Sequence, residues 1–377
     1  MRMVSKPTVQ LGDICKPQQW ATIGSSELTE AGYRVHGANC FIGYYSEANH
    51  TSDVVAVSCR GENTGNVIYI PGPSYVTGNA MCLDDLDESK ADARWLCEFL
   101  KLRGLRDIIS GSAQPQIIQK DLARVKIALP PLAEQRKIAE ILRTWDEAIE
   151  TAEAELKAKQ ERKRWMMESV LSGSLRLKGY SKAWDKKRLD QVGEIVPGGT
   201  PSTSVPEYWN GDVPWVTPTE ITKLKTPYIH NTESLITDEG VRNSSAALLP
   251  VDSLIVCTRA TVGVCAINKV PMTTNQGFKS IVPKSTDDTL FLYYVLNSMQ
   301  STFNRLAQGS TFLEISKTQF EKMTIIWPEA EERRKIASLM RTTDEQTEKI
   351  AERIESLRTQ KRGLMQKLLT GEVRVAA

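Results

Sequence analysis

Two short stretches punctuated by glycine each open on an arginine: Arg60-Gly61-Glu62-Asn63-Thr64-Gly65 and Arg259-Ala260-Thr261-Val262-Gly263. A guanidinium held on such a turn can donate two parallel hydrogen bonds to a guanine edge, and the amides of Asn79, Asn275 and Gln276 can pair in the same bidentate way with adenine. Gly198-Gly199-Thr200-Pro201-Ser202 joins a flexible backbone to hydroxyls able to donate to phosphate oxygens. Asn63, Thr64, Thr217 and Thr261 add polar contacts, as do Ser112 and Gln114 after Gly111, and Ser310 and Thr311 after Gly309. Any one of these loops has the composition of an ordinary surface turn. Their recurrence at matching places along the chain makes them a candidate nucleic-acid-facing set.

Other chemistry lacks its residues. No G-x-x-x-x-G-K-[ST] phosphate loop is present, since Gly198-Gly199 is not followed by the required lysine. Pro130-Pro131 follows Leu129, not the Asn or Asp that amino-methyltransferases place there, and no Gly-rich strand-turn-helix for S-adenosylmethionine is visible. His36, His50 and His230 are too few and scattered for a triad or a metal centre, so they read as surface or satisfied residues. The seven cysteines form an odd set without CxxC spacing, which supports neither a disulfide framework nor a zinc site and leaves them as small buried hydrophobes.

The formal charge of +2 is spread evenly, so a nucleic-acid surface requires folding to gather positive charge on one face, with part of the attraction coming from a partner. No apolar run approaches the roughly 18 residues of a membrane helix, and the first residues lack a signal-peptide core, so the cytoplasm is the expected location. A length of 377 residues with 41% hydrophobic content predicts two or three domains.

The elements that must position these loops are set by an internal repeat. Leu129–Leu177 aligns without a gap to Trp327–Val375 at an offset of 198, with 17 of 49 pairs identical, among them Arg136/Arg334, Asp146/Asp344, Lys163/Lys361 and Gly173/Gly371. The same offset reappears more weakly in Cys59/Cys257, Gly65/Gly263, Gly111/Gly309 and Ile117/Ile315, which suggests that the regions before each segment are copies diverged further.

Between Leu132 and Ser172 there is neither proline nor glycine, and residues of high helix propensity dominate. Apolar positions step by four and three through Ile138, Leu142, Trp145, Ile149, Ala152, Leu156, Met166 and Val170, with Lys159 and Lys163 interrupting the seam. The second copy keeps the register at Ile336, Met340, Ile350, Ile354, Leu357, Leu364 and Leu368. Such a stripe predicts a coiled coil. Two equal stripes in one chain favour each other as partners, and antiparallel pairing would place the flanking domains at opposite ends about a pseudo-two-fold axis.

The fold class is therefore α+β: two mixed α/β domains, residues 1–128 and 179–327, separated by two long helices, residues 129–178 and 328–377, forming an antiparallel coiled coil. Strands are predicted over 53–59, 66–70, 253–257 and 262–267, and helices over 91–109 and 289–307.

The helical unit, with GGTPS (198–202), DVPWVTPTEI (212–221), RATVG (259–263) and TNQGF (274–278), resembles the specificity subunits of type I restriction-modification enzymes over nearly the whole chain. The first domain departs from this pattern, with CRGENTG in place of RATVG and no GGTPS after Leu11. The resemblance implies a non-catalytic, DNA-binding subunit that reads a bipartite asymmetric site, one half per target-recognition domain, roughly one duplex turn of 34 to 36 Å apart. It implies two modification subunits carrying S-adenosylmethionine and two restriction subunits using ATP and Mg, with no cofactor or metal in this chain. Arg143, Asp146 and Glu147, with Arg341, Asp344 and Glu345, are placed on exposed helix faces as candidates for docking the modification subunits. The alternatives are a coiled-coil scaffold spacing two protein-interaction domains and a free-standing nuclease or methyltransferase, which the missing motifs disfavour.

Overall fold

The computed structural model describes residues 8–111, 114–307 and 314–376. The chain divides into two compact units, residues 1–154 with 351–377 and residues 155–350. Two long helices, Leu132–Leu171 and Ala330–Thr370, run through both: each unit takes the first half of one and the second half of the other. Both end on a left-handed glycine, Gly173 at φ 77° and Gly371 at φ 81°, which carries no Cβ to clash there. Among the described residues no helix is long and apolar enough to cross a membrane.

In the first unit an antiparallel sheet orders its strands Lys16–Gln19, Ala80–Asp84, Val54–Ser58 and Val67–Ile70. A second sheet orders Phe41–Tyr45, Tyr33–His36 and Ser74–Val76, the last two parallel. A ribbon of Thr8–Gln10 with Lys126–Ala128 leads into the long helix. The second unit repeats this plan. Its large sheet orders Gly193–Pro197, Lys279–Pro283, Leu254–Val256 and Cys265–Asn268, with one strand more, Tyr228–Ile229, at the end. Its small sheet orders Ser234–Ile236, Trp209–Val216 and Thr273–Thr274, and Asp185–Arg188 with Thr324–Trp327 forms the ribbon. The duplication seen clearly only in the helices thus extends through the sheets.

The helix halves pair antiparallel inside each unit. In the first, Glu134 meets Arg374 at 2.6 Å, Asp146 meets Lys361 at 2.6 Å and Glu153 meets Arg358 at 2.6 Å, so numbers rise on one side as they fall on the other. In the second, Arg176 meets Glu332 at 2.8 Å and Lys163 meets Asp344 at 2.5 Å. The first two pairs of the first unit are these last two shifted by 198 residues. Of the lysines that interrupt the apolar seam, Lys163 is therefore a charge partner of the facing helix, while Lys159 donates to the Gln346 amide oxygen at 3.0 Å. Apolar packing does the rest: Ile138, Leu142, Leu368 and Leu369 enter the first core around Trp95, and Ile336, Met340, Met166 and Val170 enter the second around Phe291. Each such side chain contributes about 1.5–3 kcal/mol.

Several sequence expectations need correction. The first globular helix spans Ala93–Arg103, shorter than 91–109, capped by the Asp92 carboxylate accepting from Trp95 N and stopped by Gly104 at φ 70°. The expected helix over 289–307 is two, Thr289–Ser298 and Gln300–Ala307, because Met299 leaves helical geometry. Six cysteines are buried and Cys40 is exposed; burial pushes the thiol pKa of Cys15 up to about 12 and that of Cys257 up to about 11. His50, half-buried, sits between Asn49 Oδ1 at 2.7 Å and Asp84 Oδ1 at 2.9 Å.

Candidate nucleic-acid interface

The arginine turns occupy the same place in the two units. In the first, Gly65 N donates to Ser58 O, Cys59 N to Asn79 O and Ile117 N to Cys59 O, at 2.8, 3.1 and 3.0 Å. In the second, Gly263 N donates to Cys257 O, Thr258 N to Gly277 O and Ile315 N to Thr258 O, at 2.8, 2.8 and 2.9 Å. These bonds set Ser58 against Cys257 and Arg60 against Arg259, so the sequence match of Cys59 with Cys257 is one residue out of step. The first turn holds one residue more. Both rest on positive-φ positions, Gly61 and Gly65 against Ala260 and Gly263, and Ala260 adopts at φ 61° a geometry that side chains rarely take.

In the second unit four loops converge. Gly198 N donates to Phe278 O at 3.1 Å and Gly199 N to Thr274 O at 2.8 Å, while Thr200 Oγ1 donates to Gln276 Oε1. The Trp215 indole donates to Gly199 O at 2.9 Å, and that of Trp209, edge-on to Trp215, donates to Ser202 O at 3.1 Å. A Cβ on Gly198 would lie 1.8 Å from Asn275 O, and one on Gly199 would lie 2.2 Å from Ala246 N. The two glycines are therefore required by close packing, and the flexible phosphate-binding backbone expected at 198–202 is a pinned one whose Gly199 N–H and C=O are both engaged.

The remaining candidates divide by what their side chains do. Ser202, Thr261 and Gln276 are exposed, and Arg259 is half-exposed with Glu314 4.0 Å away. Thr217 instead caps a short helix through Glu220, its hydroxyl donating to Oε2 at 2.7 Å, and Asn275 Oδ1 accepts from Gly277 N at 2.8 Å. Behind Arg259 lies a cation the sequence did not reveal, buried Lys279, which donates to Thr258 Oγ1 at 3.1 Å and lies 3.4 Å from Glu314.

In the first unit Arg60, Asn63, Asn79 and Gln114 are exposed together on this end, and Thr64 Oγ1 is within reach of Gly61 O and Pro115 O at 2.6 and 3.0 Å. Ser112, Ser310 and Thr311, with Gly309, lie outside the described residues. The six helix candidates also separate. Arg143 and Glu147 are exposed, 3.6 Å apart. Asp146 turns to Lys361, and Asp344 is buried, accepting from Tyr294 Oη at 2.7 Å and ion-paired with Lys163. Asp344 therefore does not lie on the exposed face expected for it, and Asp146 is only half-exposed. Arg341 contacts Glu345 at 3.0 Å and Glu348 at 3.1 Å.

The type I restriction modification DNA specificity domain matches residues 3–160 and again residues 181–359. The chain belongs to that family. It is 37% identical over 166 residues to the MjaIX specificity subunit of Methanocaldococcus jannaschii, covering 44% of this chain and 38% of that protein. It is 24% identical over 340 residues to the MjaVIII specificity subunit of the same organism, covering 84% and 78%. The chain thus spans well under half of the MjaIX protein's length. In fold it is similar to the type I restriction-modification S subunit from M. genitalium, with a TM-score of 0.67 at 14% identity over 98% of this chain and 97% of that one. A chain from a study of complex assembly and conformational transition in the type I R-M system gives 0.59 at 18% identity, over 98% and 99%.

Proposed function

We propose that this chain is the sequence-reading subunit of a type I restriction-modification complex, binding a bipartite, asymmetric stretch of double-stranded DNA with one half-site per unit. It performs no chemistry itself and directs adenine methylation or cleavage by two modification and two restriction subunits in the cytoplasm. S-adenosylmethionine, ATP and Mg belong to those partners. One observation carries the reading: the same three-bond cradle is built in both copies with an arginine at the same place and different side chains around it. Such a surface reads two different half-sites while its backbone stays fixed.

The test is selection from randomised duplexes by the chain assembled with a modification subunit. A bipartite sequence is expected to be enriched. Arg259→Ala is expected to cost about 1–3 kcal/mol of discrimination at one half-site, and Arg60→Ala the same at the other. Enrichment of no bipartite sequence would leave the scaffold reading in its place.

A further inference from the structure

Strand Val67–Ile70 ends the large sheet of the first unit, and among the described residues no strand pairs with its outer edge. The equivalent edge of the second unit is covered. Tyr228–Ile229 runs parallel to Cys265–Asn268, with Ile267 N donating to Pro227 O at 2.8 Å and Lys269 N to Ile229 O at 2.9 Å. Ile229 is buried, and the Tyr228 ring is faced by the Arg341 guanidinium at 5.6 Å and the Lys269 ammonium at 4.9 Å. The second unit therefore shows what kind of segment suits this edge.

The first unit keeps the mould without that strand. A groove of about 510 Å³ runs beside the open edge, lined by Val67, Tyr69, Arg143, Glu147 and Glu150 among others. Arg143, Glu147 and Glu150 stand 198 residues before Arg341, Glu345 and Glu348. The Arg341 side chain is 20% exposed, whereas that of Arg143 is 54% exposed. Pro71 replaces Lys269 and has no N–H, so fewer backbone donors face outward and only a short segment can pair, as short as the two residues found in the other copy.

We propose that the outer edge of Val67–Ile70 accepts a short extended segment of the modification subunit, placing an aromatic residue against Arg143 and a branched aliphatic residue beside it. Backbone pairing supplies the affinity, and the Arg143 groove selects the side chain. The donor's identity rests on the function proposed above; the edge itself does not. Acidic and basic side chains both line the groove, so backbone and ring recognition take precedence over net charge.

The experiment has two arms. A photo-crosslinking residue at Ile68 of the full chain, assembled with the modification subunit, is expected to capture an extended segment of that subunit. Arg143→Ala is expected to weaken assembly about tenfold with an unchanged thermal melt. In the second arm a synthetic peptide of residues 225–231 is added in trans; it is expected to bind the full chain, and to lose binding with Tyr228→Ala in the peptide or Arg143→Ala in the chain. Capture of a second copy of this chain, or no capture with normal Arg143→Ala assembly while a bipartite site is still read, overturns the proposal and leaves the function standing. Peptide binding without any bipartite selectivity upholds the docking edge and removes the proposed function with its donor.

Discussion

The arginine turn of the first unit runs through six residues, Arg60–Gly65, with Gln116 bridged to Arg60; that of the second runs through five, Arg259–Gly263, with Glu314 in the bridging position and Lys279 beneath. The second also leans on the Gly198–Ser202 loop, held by the indoles of Trp215 and Trp209, whereas after Gln19 in the first unit the Tyr75 hydroxyl donates to Ala21 O at 3.0 Å. Beneath these differences the backbone bonds of the cradle and the ion pairs of the helix halves repeat almost one for one. The parts that set geometry were held while the parts that face outward diverged, which is the division of labour a two-headed reader needs.

The sharpest way to break the comparison is at the repeated ion pairs. Glu332 is 1% exposed and accepts from the Arg176 guanidinium at 3.0 and 2.8 Å and from Trp184 Nε1 at 2.7 Å. Glu332→Ala leaves a partly buried guanidinium and an indole donor without their acceptor, and about 3–5 kcal/mol of stability is expected to be lost in denaturant unfolding. Its copy, Glu134, pairs among the described residues with Arg374 alone, whose side chain is 47% exposed. Glu134→Ala is expected to cost about 1 kcal/mol, since a solvated guanidinium regains water. Equal losses would mean that the two clasps are equivalent despite their surroundings.

A smaller, local effect sharpens the difference between the recognition ends. Gly198→Ala forces a methyl group to within 1.8 Å of Asn275 O, so the 198–202 and 274–278 loops must separate. Overpacking of this kind costs about 1–3 kcal/mol. Selectivity for the half-site read by the second unit is expected to collapse, with the other half-site unchanged in the same binding selection. Loss at both halves would show that the two ends are not independent.

Much of this was legible from residues alone. The helices announced themselves through the offset of 198, the gap-free stripe and the glycine stops, because helix periodicity and caps are local properties. The convergence of the four loops of the second unit was visible only as recurring polar turns, because it depends on Thr200 finding Gln276 and Trp215 finding Gly199, contacts between residues far apart in sequence; Thr217 meeting Glu220 is by contrast a local T-x-x-E capping box that spacing does carry. Asp146 and Asp344 looked like members of a charged face because spacing gives a residue's side of a helix, not whether a lysine of the facing helix will cover it. The extra strand Tyr228–Ile229 is two residues long and carries no period to detect.

The finest contrast concerns acid. Glu98 is buried in the first unit beside Lys101 at 2.6 Å and Lys361 at 3.2 Å, while the position 198 residues later is the apolar Leu296. Burial alone would raise the Glu98 pKa, but the two ammonium groups outweigh it and hold the pKa below the usual 4.5. A carboxylate with a depressed folded-state pKa contributes stability above its unfolded value and loses that contribution as pH falls through the folded one. The first unit is therefore expected to weaken on acidification below about pH 4.5 through a group the second unit does not have. Glu98→Leu should change stability at neutral pH by no more than about 1 kcal/mol, because an apolar side chain can replace a buried ion-pair member at little net cost and Lys361 keeps Asp146. Hydrogen exchange in the Ala93–Arg103 helix, followed from neutral pH to about pH 3 after correction for intrinsic rates, checks this. The acid-induced loss of protection should be shallower in the variant, and an unchanged slope would place the acid sensitivity of the first unit elsewhere.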